Sequence, residues 1–185
     1  MAHKGLILEN PVTGDIYEFL ETANDTVGQR TTIKMTLHTK GELVPDHFHV
    51  LQDEHFEVLS GDLTIKLDGK THTLTSGQKM ALPKNIPHNH YNFSDKPVIF
   101  TQTVSPGLDI EHLFETLIGL TKDGKVKNGK AGLVQELVIL KYLDSKAYLA
   151  GMPVGVQKVL MNTVAPLARM MGYRAVYQKY SGLEK

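Results

Sequence analysis

Three histidines and one glutamate are spaced so that they could bind a single metal ion. His47 and His49 are separated by one residue, and residues two apart on a β-strand share a face. Four residues then separate His49 from Glu54, which leaves room for a tight turn or bulge before the next strand. His88 restarts a strand after a turn through residues 84–87, and antiparallel pairing would bring it opposite the first pair. Three imidazoles and one carboxylate suit a divalent transition metal such as Fe, Mn, Ni, Co or Zn, with coordination positions left open.

The elements that must position these side chains are short β-strands before Pro106. Residues 32–38 and 62–67 alternate between polar and apolar, which is typical of half-buried strands. Asp68-Gly69 then leads into residues 70–75, and such a dipeptide between alternating strands indicates a two-residue hairpin. Frequent glycines and prolines elsewhere indicate many short strands with turns, as in an antiparallel sandwich or barrel.

After Pro106 the apolar residues take helical spacing. We expect residues 107–185, called the extension below, to form helices, with Asp109 capping the first. The third helix should begin near Pro153 and carry a kink at Pro166, and Gly172 should end it. The helices should pack on the barrel or across a dimer, and the side chains expected to be buried are Leu113, Leu117, Leu133, Leu137, Leu140, Val159, Leu160 and Leu167.

Two other roles for the extension follow from its basic residues. Residues 153–171 could form an amphipathic helix on a membrane surface, with Lys158, Arg169 and Arg174 facing anionic lipid; we rank this contact second to packing. Four lysines form a basic loop that we interpret as a solvated connection, because no aromatic residues are interleaved for nucleic-acid binding. They are Lys122, Lys125, Lys127 and Lys130.

The composition excludes several classes of protein. The chain has 185 residues, 41% of them hydrophobic, with 20 Lys and Arg balancing 20 Asp and Glu. This balance gives no general field for nucleic acid or membrane. The chain has no cysteine, which excludes disulfides, thiolate zinc sites and cysteine nucleophiles. No uncharged apolar run approaches the roughly 18 residues of a transmembrane helix, and the first 15 residues do not resemble a signal peptide. We therefore predict a cytoplasmic protein.

The spacing of these residues resembles the two sequence motifs of the cupin superfamily. The first motif has Gly, five residues, His-x-His, three or four residues, Glu, six residues and Gly; it matches Gly41, His47, His49, Glu54 and Gly61. The second has Gly, five residues, Pro-x-Gly, two residues, His, three residues and Asn; it matches Gly77, Pro83, His88 and Asn92, with Asn85 in place of the preferred glycine. Asparagine tolerates the left-handed conformation that this turn needs.

The resemblance implies a fold, a domain organisation and an assembly. The fold would be mainly β, an antiparallel double-stranded β-helix or jelly-roll barrel over residues 1–106, followed by the helical extension over residues 107–185. The implied metal ligands are His47, His49, Glu54 and His88. Because cupin-like barrels leave sheet edges and an apolar outer face that commonly pair, we expect a homodimer.

Other residues of the barrel are candidates for catalysis or substrate binding. His90 shares the inward face of its strand with His88 and could act as an acid or base, orient a ligand, or simply be a buried histidine. Gln102 shares a face with Phe100 and would be a polar group of the pocket. Met35 and Phe56 would help to line an apolar pocket, together with Leu37, Met80 and Leu82. By strand parity, His55, Glu57 and Tyr91 should point away from this site.

Three functional hypotheses remain open at the level of the sequence. The first is a metal-dependent dioxygenase-like enzyme acting on a small, mostly apolar or aromatic, oxygenated molecule, with Glu54 as ligand and proton acceptor. The second is a non-catalytic cupin module that binds a small molecule or a metal. The third is an isomerase or decarboxylase of the same fold. Arg30 is the one arginine in residues 1–106, so a dedicated phosphate or dicarboxylate clamp in the barrel is not expected.

Overall fold

Two antiparallel β-sheets form the body of the protein. The structure is a computed structural model, which describes residues 1–41, 44–126 and 131–183. The larger sheet contains β1 (Ile7–Glu9), β2 (Ile16–Glu21), β3 (Thr31–Leu37), β5 (Asp53–Ser60), β8 (Lys79–Leu82) and β10 (Val98–Ser105), in the order β1-β2-β3-β10-β5-β8. The smaller sheet contains β4 (His47–His49), β6 (Leu63–Leu67), β7 (Lys70–Leu74), β9 (His88–Tyr91) and β11 (Ala147–Leu149), in the order β11-β4-β9-β6-β7. The predicted mainly-β fold with a helical C-terminal region is confirmed.

The main hydrophobic core follows the alternation that the sequence predicts. In β3 and β10 every second residue is buried, because one face of each strand meets the core and the other meets solvent. Ten side chains at the centre of this core are Phe19, Ile33, Met35, Phe56, Val58, Leu63, Ile65, Leu82, Val98 and Phe100. The larger sheet and the smaller sheet both contribute to this set, so the inner faces of the two sheets are held together by apolar contacts.

The Asp-Gly hairpin is confirmed. Asp68 has φ of 48° and Gly69 has φ of 74°, the left-handed values that a type I′ turn requires at both positions. Leu67 and Lys70 are paired on either side of the turn. The turn thereby fixes the register of β6 against β7.

The extension contains four helices among its described residues and one strand that the sequence did not predict. The helices are α1 (Ile110–Lys122), α2 (Leu133–Tyr142), α3 (Val154–Met170) and α4 (Gln178–Ser181). Pro166 lies inside α3, and Gly172 follows the end of that helix with φ of 94°. The strand β11 pairs with β4, with Ala147 opposite His49. The extension therefore completes the smaller sheet beside the strand that carries two predicted ligands.

Three side chains of the extension that we expected to be buried are exposed in the single chain, and their burial across a dimer stays a prediction. Leu133, Val159 and Leu167 are 64%, 60% and 63% exposed. The buried face of α3 is formed instead by Gln157, Met161, Ala165 and Ala168. Small alanines let α3 approach its neighbours closely, and this turns the larger side chains of the opposite face outward. The remaining predicted residues belong to two apolar clusters, one of which also includes Phe48 and Val50: Leu113, Leu117, Leu137, Leu140 and Leu160.

The predicted cap of α1 is also different. Asp109 occupies the N-cap position, but its side chain makes no hydrogen bond to the start of the helix. Its carboxylate instead accepts hydrogen bonds from the backbone N–H groups of Asp144 and Ser145, at 2.8–3.0 Å. Asp109 thus ties the start of α1 to the segment that leads into β11.

The structure covers the predicted basic loop only in part, because Lys127 and Lys130 lie outside the described residues. Within the part of the chain that the structure describes, no helix combines the length and the apolar character needed to cross a membrane.

Close packing of α1 on α4 gives a testable prediction. A Cβ atom added to Gly119 in α1 would lie 2.3 Å from Cγ of Tyr180. We expect Gly119→Ala to lower the free energy of unfolding by about 1–3 kcal/mol, because the ring must move to relieve this overlap. The control is Gly155→Ala in α3, where the added methyl group meets no atom within 4 Å. Urea unfolding of both variants measures the difference; equal stability of the two variants would contradict the packing of α4 on α1.

Candidate metal centre

The three predicted histidine ligands converge on one point at the inner face of the smaller sheet. His47 and His49 lie on β4, with ring centroids 5.4 Å apart. His88 on β9 is the direct pairing partner of His47, and the centroids of these two rings are 4.9 Å apart. One ligand nitrogen from each of the three rings lies within 4.8 Å of the others. A single cation could therefore contact all three.

Glu54 reaches the same point from the opposite sheet. It lies near the start of β5 in the larger sheet and is 2% exposed. Its Oε1 atom is 3.3 Å from Nε2 of His49, and its Oε2 atom is 3.5 Å from Nε2 of His88. The short connection between β4 and β5 crosses from one sheet to the other. All four predicted ligands are thus brought together.

Backbone carbonyl groups orient two of the imidazoles. Nδ1 of His47 is 3.0 Å from the carbonyl oxygen of Pro45, and Nδ1 of His88 is 2.8 Å from that of Ile86. With a proton on Nδ1 donated to the carbonyl, each ring keeps the Nε2 lone pair for a metal. This arrangement is typical of the groups that surround metal-binding histidines.

The electrostatics of the site favour neutral histidines and an ionised carboxylate. Burial lowers the pKa of His47 to about 4, and it also lowers the pKa of His88 despite the nearby charge of Glu54. Burial alone would raise the pKa of Glu54, but the hydrogen bond from His49 and the positive charge that the imidazoles can carry lower it to about 2. These are the protonation states in which imidazole and carboxylate bind metals.

Two atoms at the centre of the site lack a partner that a cation would provide. Oε2 of Glu54 and Nε2 of His88 are buried and make no hydrogen bond with any described residue. Buried polar atoms of this kind are rarely left unsatisfied. The donor set of three nitrogens and one carboxylate, aimed at one another across the two sheets, fits a divalent transition metal.

Gln102 contacts the ligand carboxylate rather than an open pocket. It lies on β10 beside β5, and its Nε2 donates a hydrogen bond of 2.8 Å to Oε1 of Glu54. The sequence predicted correctly that this side chain points inward, and it is buried. Because Oε1 accepts from Gln102, the carboxylate is held with Oε2 directed at His88. The role of Gln102 in substrate binding stays a prediction.

His90 lies beside the centre, among aromatic side chains. Its ring centroid is 5.0 Å from that of Phe56 and 5.6 Å from that of Phe100. Burial lowers its pKa to about 4, and its Nδ1 has no hydrogen-bond partner among the described residues. Met35, Phe56 and Phe100 are fully buried in the core between the sheets. Catalysis by His90 and substrate contacts by the other three residues stay predictions.

The turns that hold the ligands account for the remaining motif residues. Gly61 has φ of 81°, and a Cβ at that position would lie 3.0 Å from the carbonyl oxygen of Pro97. Asn85 has φ of 64°, so it adopts the left-handed conformation expected of it, and its N–H donates to the carbonyl of His49 at 2.7 Å. The Asn92 amide donates to the carbonyls of Leu37 and Lys96.

Gln52, a buried residue between two of the ligands, was not predicted from the sequence. Its Nε2 lies 3.0 Å and 3.2 Å from the carbonyl oxygens of Pro106 and Gly107, and 3.3 Å from Oγ of Ser145. It therefore fastens the connection between His49 and Glu54 to the start of the extension. A lone glutamine in a connection carries no periodic signal, so no sequence pattern could have identified this role.

The outward-facing residues of β5 line a different surface. His55 and Glu57 contribute to a groove of about 420 Å³ on the outer face of the larger sheet, together with Lys79, Thr101 and Thr103. This placement agrees with the predicted strand parity. Tyr91 contacts Phe93 at 4.7 Å between ring centroids and does not belong to the histidine cluster.

Comparison with known proteins agrees with this fold and site. The family model described as Cupin domain (Cupin_2) matches residues 34–106, which run from β3 to β10 and include all four predicted ligands. Residues 34–106 of the chain therefore form a cupin domain. The match covers the barrel and leaves the extension outside.

Similar individual proteins match parts of the chain. Quercetin 2,3-dioxygenase from Bacillus subtilis is 29% identical over 107 residues, which are 57% of this chain and 31% of that protein. Polyketide synthase CurC from Streptomyces cyaneus is 30% identical over 66 residues, which are 36% of this chain and 43% of that protein. A crystal structure described as a sugar phosphate isomerase of the cupin superfamily from Silicibacter pomeroyi has 23% identity and a TM-score of 0.43, covering 50% of this chain and 59% of that one. The matches span 31% to 55% of the length of the curated relatives.

The hydrogen bond from Gln102 to Glu54 gives a second prediction. We expect Gln102→Leu to weaken metal binding by about 10–100-fold, the usual effect of removing a group that orients a metal ligand. Competition with a chelator measures the affinity. Thr101→Val is the control, because Thr101 neighbours Gln102 on β10 but lines the outer groove. Unchanged affinity in Gln102→Leu would show that its amide does not position the carboxylate.

Proposed function

We propose that this protein is a metal-dependent, dioxygenase-like enzyme that acts on a small, mostly apolar or aromatic, oxygenated molecule. The observation that carries the proposal is the convergence of His47, His49, His88 and Glu54 beside the aromatic side chains of Phe56 and Phe100. The partial similarity to a quercetin dioxygenase and to a polyketide synthase protein supports this substrate class. A bound Fe, Mn, Ni, Co or Zn ion would supply Lewis acidity at this point, and a redox-active one would allow chemistry with dioxygen.

The residues of the chain would have distinct roles in this activity. The three imidazoles and Glu54 hold the ion, and Gln102 fixes one oxygen of Glu54. Because the pKa of Glu54 is about 2, its carboxylate is ionised at neutral pH and suited to bind the ion, although so low a pKa makes it a weak proton acceptor. His90 is neutral at the same pH, since its pKa is about 4, and its unpartnered Nδ1 can hydrogen-bond a substrate.

A second candidate function is non-catalytic binding of a metal or small molecule. The tightly packed interior favours this second candidate. Met35, Phe56 and Phe100 are almost completely inaccessible to solvent, so a substrate would have to displace packed side chains. Isomerase and decarboxylase activities stay predictions from the family resemblance.

Metal analysis followed by oxygen-uptake screening tests the proposal. The untagged protein should contain close to one transition-metal ion per chain, and some catechol-like or flavonoid-like compound should stimulate oxygen consumption. His88→Ala should abolish both, and His55→Ala should keep both, because His55 faces the outer groove. Metal-loaded protein that binds such compounds without consuming oxygen would favour the second candidate. Protein without affinity for any of these metals would refute the enzyme and leave only non-catalytic binding of a small molecule.

We also propose that the protein forms a homodimer and is cytoplasmic. Symmetric dimers are the commonest oligomers, and α3 leaves apolar side chains such as Val159 and Met170 exposed. Light scattering should give twice the 20.6 kDa chain mass. A monomer mass over a wide concentration range would contradict the dimer.

A further inference from the structure

We propose that a cavity between α2, β11 and α3 is a binding site for a phosphate-like anion. The cavity has a volume of about 210 Å³ and is lined by Lys141, Lys146, Tyr148, Lys158, Met161 and Asn162. Its three lysines come from three different parts of the extension: the last turn of α2, the residue before β11, and the first half of α3. The fold therefore brings three lysine side chains to one cavity from different elements of the extension.

The cavity is separate from the metal centre. Tyr148 pairs with Phe48 in the smaller sheet, and their rings contact each other at 5.9 Å between centroids. Because side chains alternate across a strand, Phe48 points to the face opposite His47 and His49. The lysine cavity consequently lies on the outer face of the same sheet whose inner face carries the histidines.

The lysines of this cavity lack the carboxylate partner that five other lysines of the chain have. Lys34, Lys40, Lys66, Lys79 and Lys179 each form a salt bridge with a carboxylate. In the described ranges of the chain, Lys141, Lys146 and Lys158 form none, and no carboxylate lines their cavity. Lys141 donates a hydrogen bond only to the neutral Asn162 side chain.

This unbalanced charge is costly unless an anion offsets it. Lys141 and Lys146 are half-buried, so water screens their repulsion less than it would at a fully exposed surface. A bound anion would offset this repulsion, and lysine is a common phosphate ligand because its ammonium group is a compact point charge with three donors.

The charge of the whole region points the same way. Residues 125–185 contain ten Lys and Arg against three Asp and Glu, whereas residues 1–124 contain ten against 17. The chain is neutral overall, but its two parts carry opposite charge. The resulting positive potential over residues 125–185 would raise the local concentration of anions at the cavity.

The ligand class is a tetrahedral phosphate group, either free or carried by a small molecule or a lipid headgroup. A liquid water molecule occupies about 30 Å³, so the cavity has room for an anion of this size. The three donor side chains are long and flexible, which suits an anion with several acceptor oxygens.

Titration of inorganic phosphate into the full-length protein tests the site, with sodium chloride of equal ionic strength as the reference. We expect phosphate in the millimolar range to bind and to raise the melting temperature more than sodium chloride does. Lys146→Gln and Lys158→Gln should each weaken phosphate binding by about tenfold or more, the effect of losing one charge-assisted hydrogen bond. Lys70→Gln is the matched control, since Lys70 is an exposed lysine on β7.

Two further experiments distinguish the cavity from the metal centre and identify the source of the phosphate group. His49→Ala should keep phosphate binding, which distinguishes this cavity from coordination at the histidine cluster. Co-sedimentation with phosphatidylcholine vesicles containing phosphatidic acid, lost in Lys158→Gln, would assign the cavity to a lipid headgroup; phosphate binding without vesicle binding would assign it to a soluble ligand. Binding of neither probe, or equal binding by the lysine variants and the native protein, would overturn the proposal.

Discussion

His49→Ala is expected to yield a folded protein that retains almost no transition metal. His49 is 4% exposed, and its Nε2 lies 3.3 Å from Glu54, so its removal takes one of four donors from the centre of the site. Loss of a group that merely orients a ligand costs about 10–100-fold in affinity, and loss of the ligand itself should cost more. Elemental analysis of the purified variant measures the bound metal.

The fold should survive because the core does not depend on the metal. Phe56, Val58 and Ile65 are almost fully buried within the main hydrophobic core, which supplies apolar contacts with or without an ion. We expect a loss of about 0.5–3 kcal/mol in the free energy of unfolding, as for most single substitutions. His55→Ala is the control, because it replaces a histidine on β5, the next strand in the sequence. An unfolded His49→Ala protein would show instead that the metal site is structural.

Removal of the extension after Gly107 is expected to abolish both solubility and metal binding. Truncation leaves β4 at the edge of the smaller sheet without the pairing that β11 provides. It also uncovers Phe48 and Val50, which pack against a cluster that includes Leu137 and Met161 of the extension. Each such side chain contributes about 1.5–3 kcal/mol when buried, and an unpaired apolar edge promotes aggregation.

The soluble fraction, light scattering and metal content of the truncated chain measure this effect. Tyr148→Ala in the full chain is the matched comparison, because it removes one contact to Phe48 but keeps the backbone pairing of β11. Its effects should be milder than those of truncation. A soluble, metal-loaded barrel without the extension would contradict the structural role assigned here to β11.

The ligand set could be predicted from sequence because its spacing follows strand geometry. His47 and His49 alternate with Phe48, Glu54 follows His49 after four residues, and His88 follows a turn marked by proline and asparagine. Gln102 was predicted to point inward by parity alone. Its contact with Glu54 depends on the register of β10 against β5, where Gln102 is opposite Phe56 and Val104 is opposite Glu54, and no local pattern specifies a register between strands so far apart in sequence.

Expectation and single-chain structure differ where tertiary packing overrides periodicity. The helix α3 carries apolar residues around most of its circumference, so the pattern does not define which face is buried. Close approach favours the face with Ala165 and Ala168, leaving Val159 and Leu167 exposed. β11 is only three residues long, too short to show a period of two.

The pairing of β11 with β4 also bears on the order in which parts of the chain can fold during synthesis. β4 pairs with residues 147–149, which the ribosome adds long after the β4 histidines and the rest of the barrel. Joining segments so far apart in sequence makes this contact late and slow relative to local hairpins such as β6–β7. During synthesis the strand bearing His47 and His49 has an unpaired edge until the extension emerges and docks. The nascent chain therefore passes through a stage in which its histidines are already made while the sheet that holds them is still incomplete.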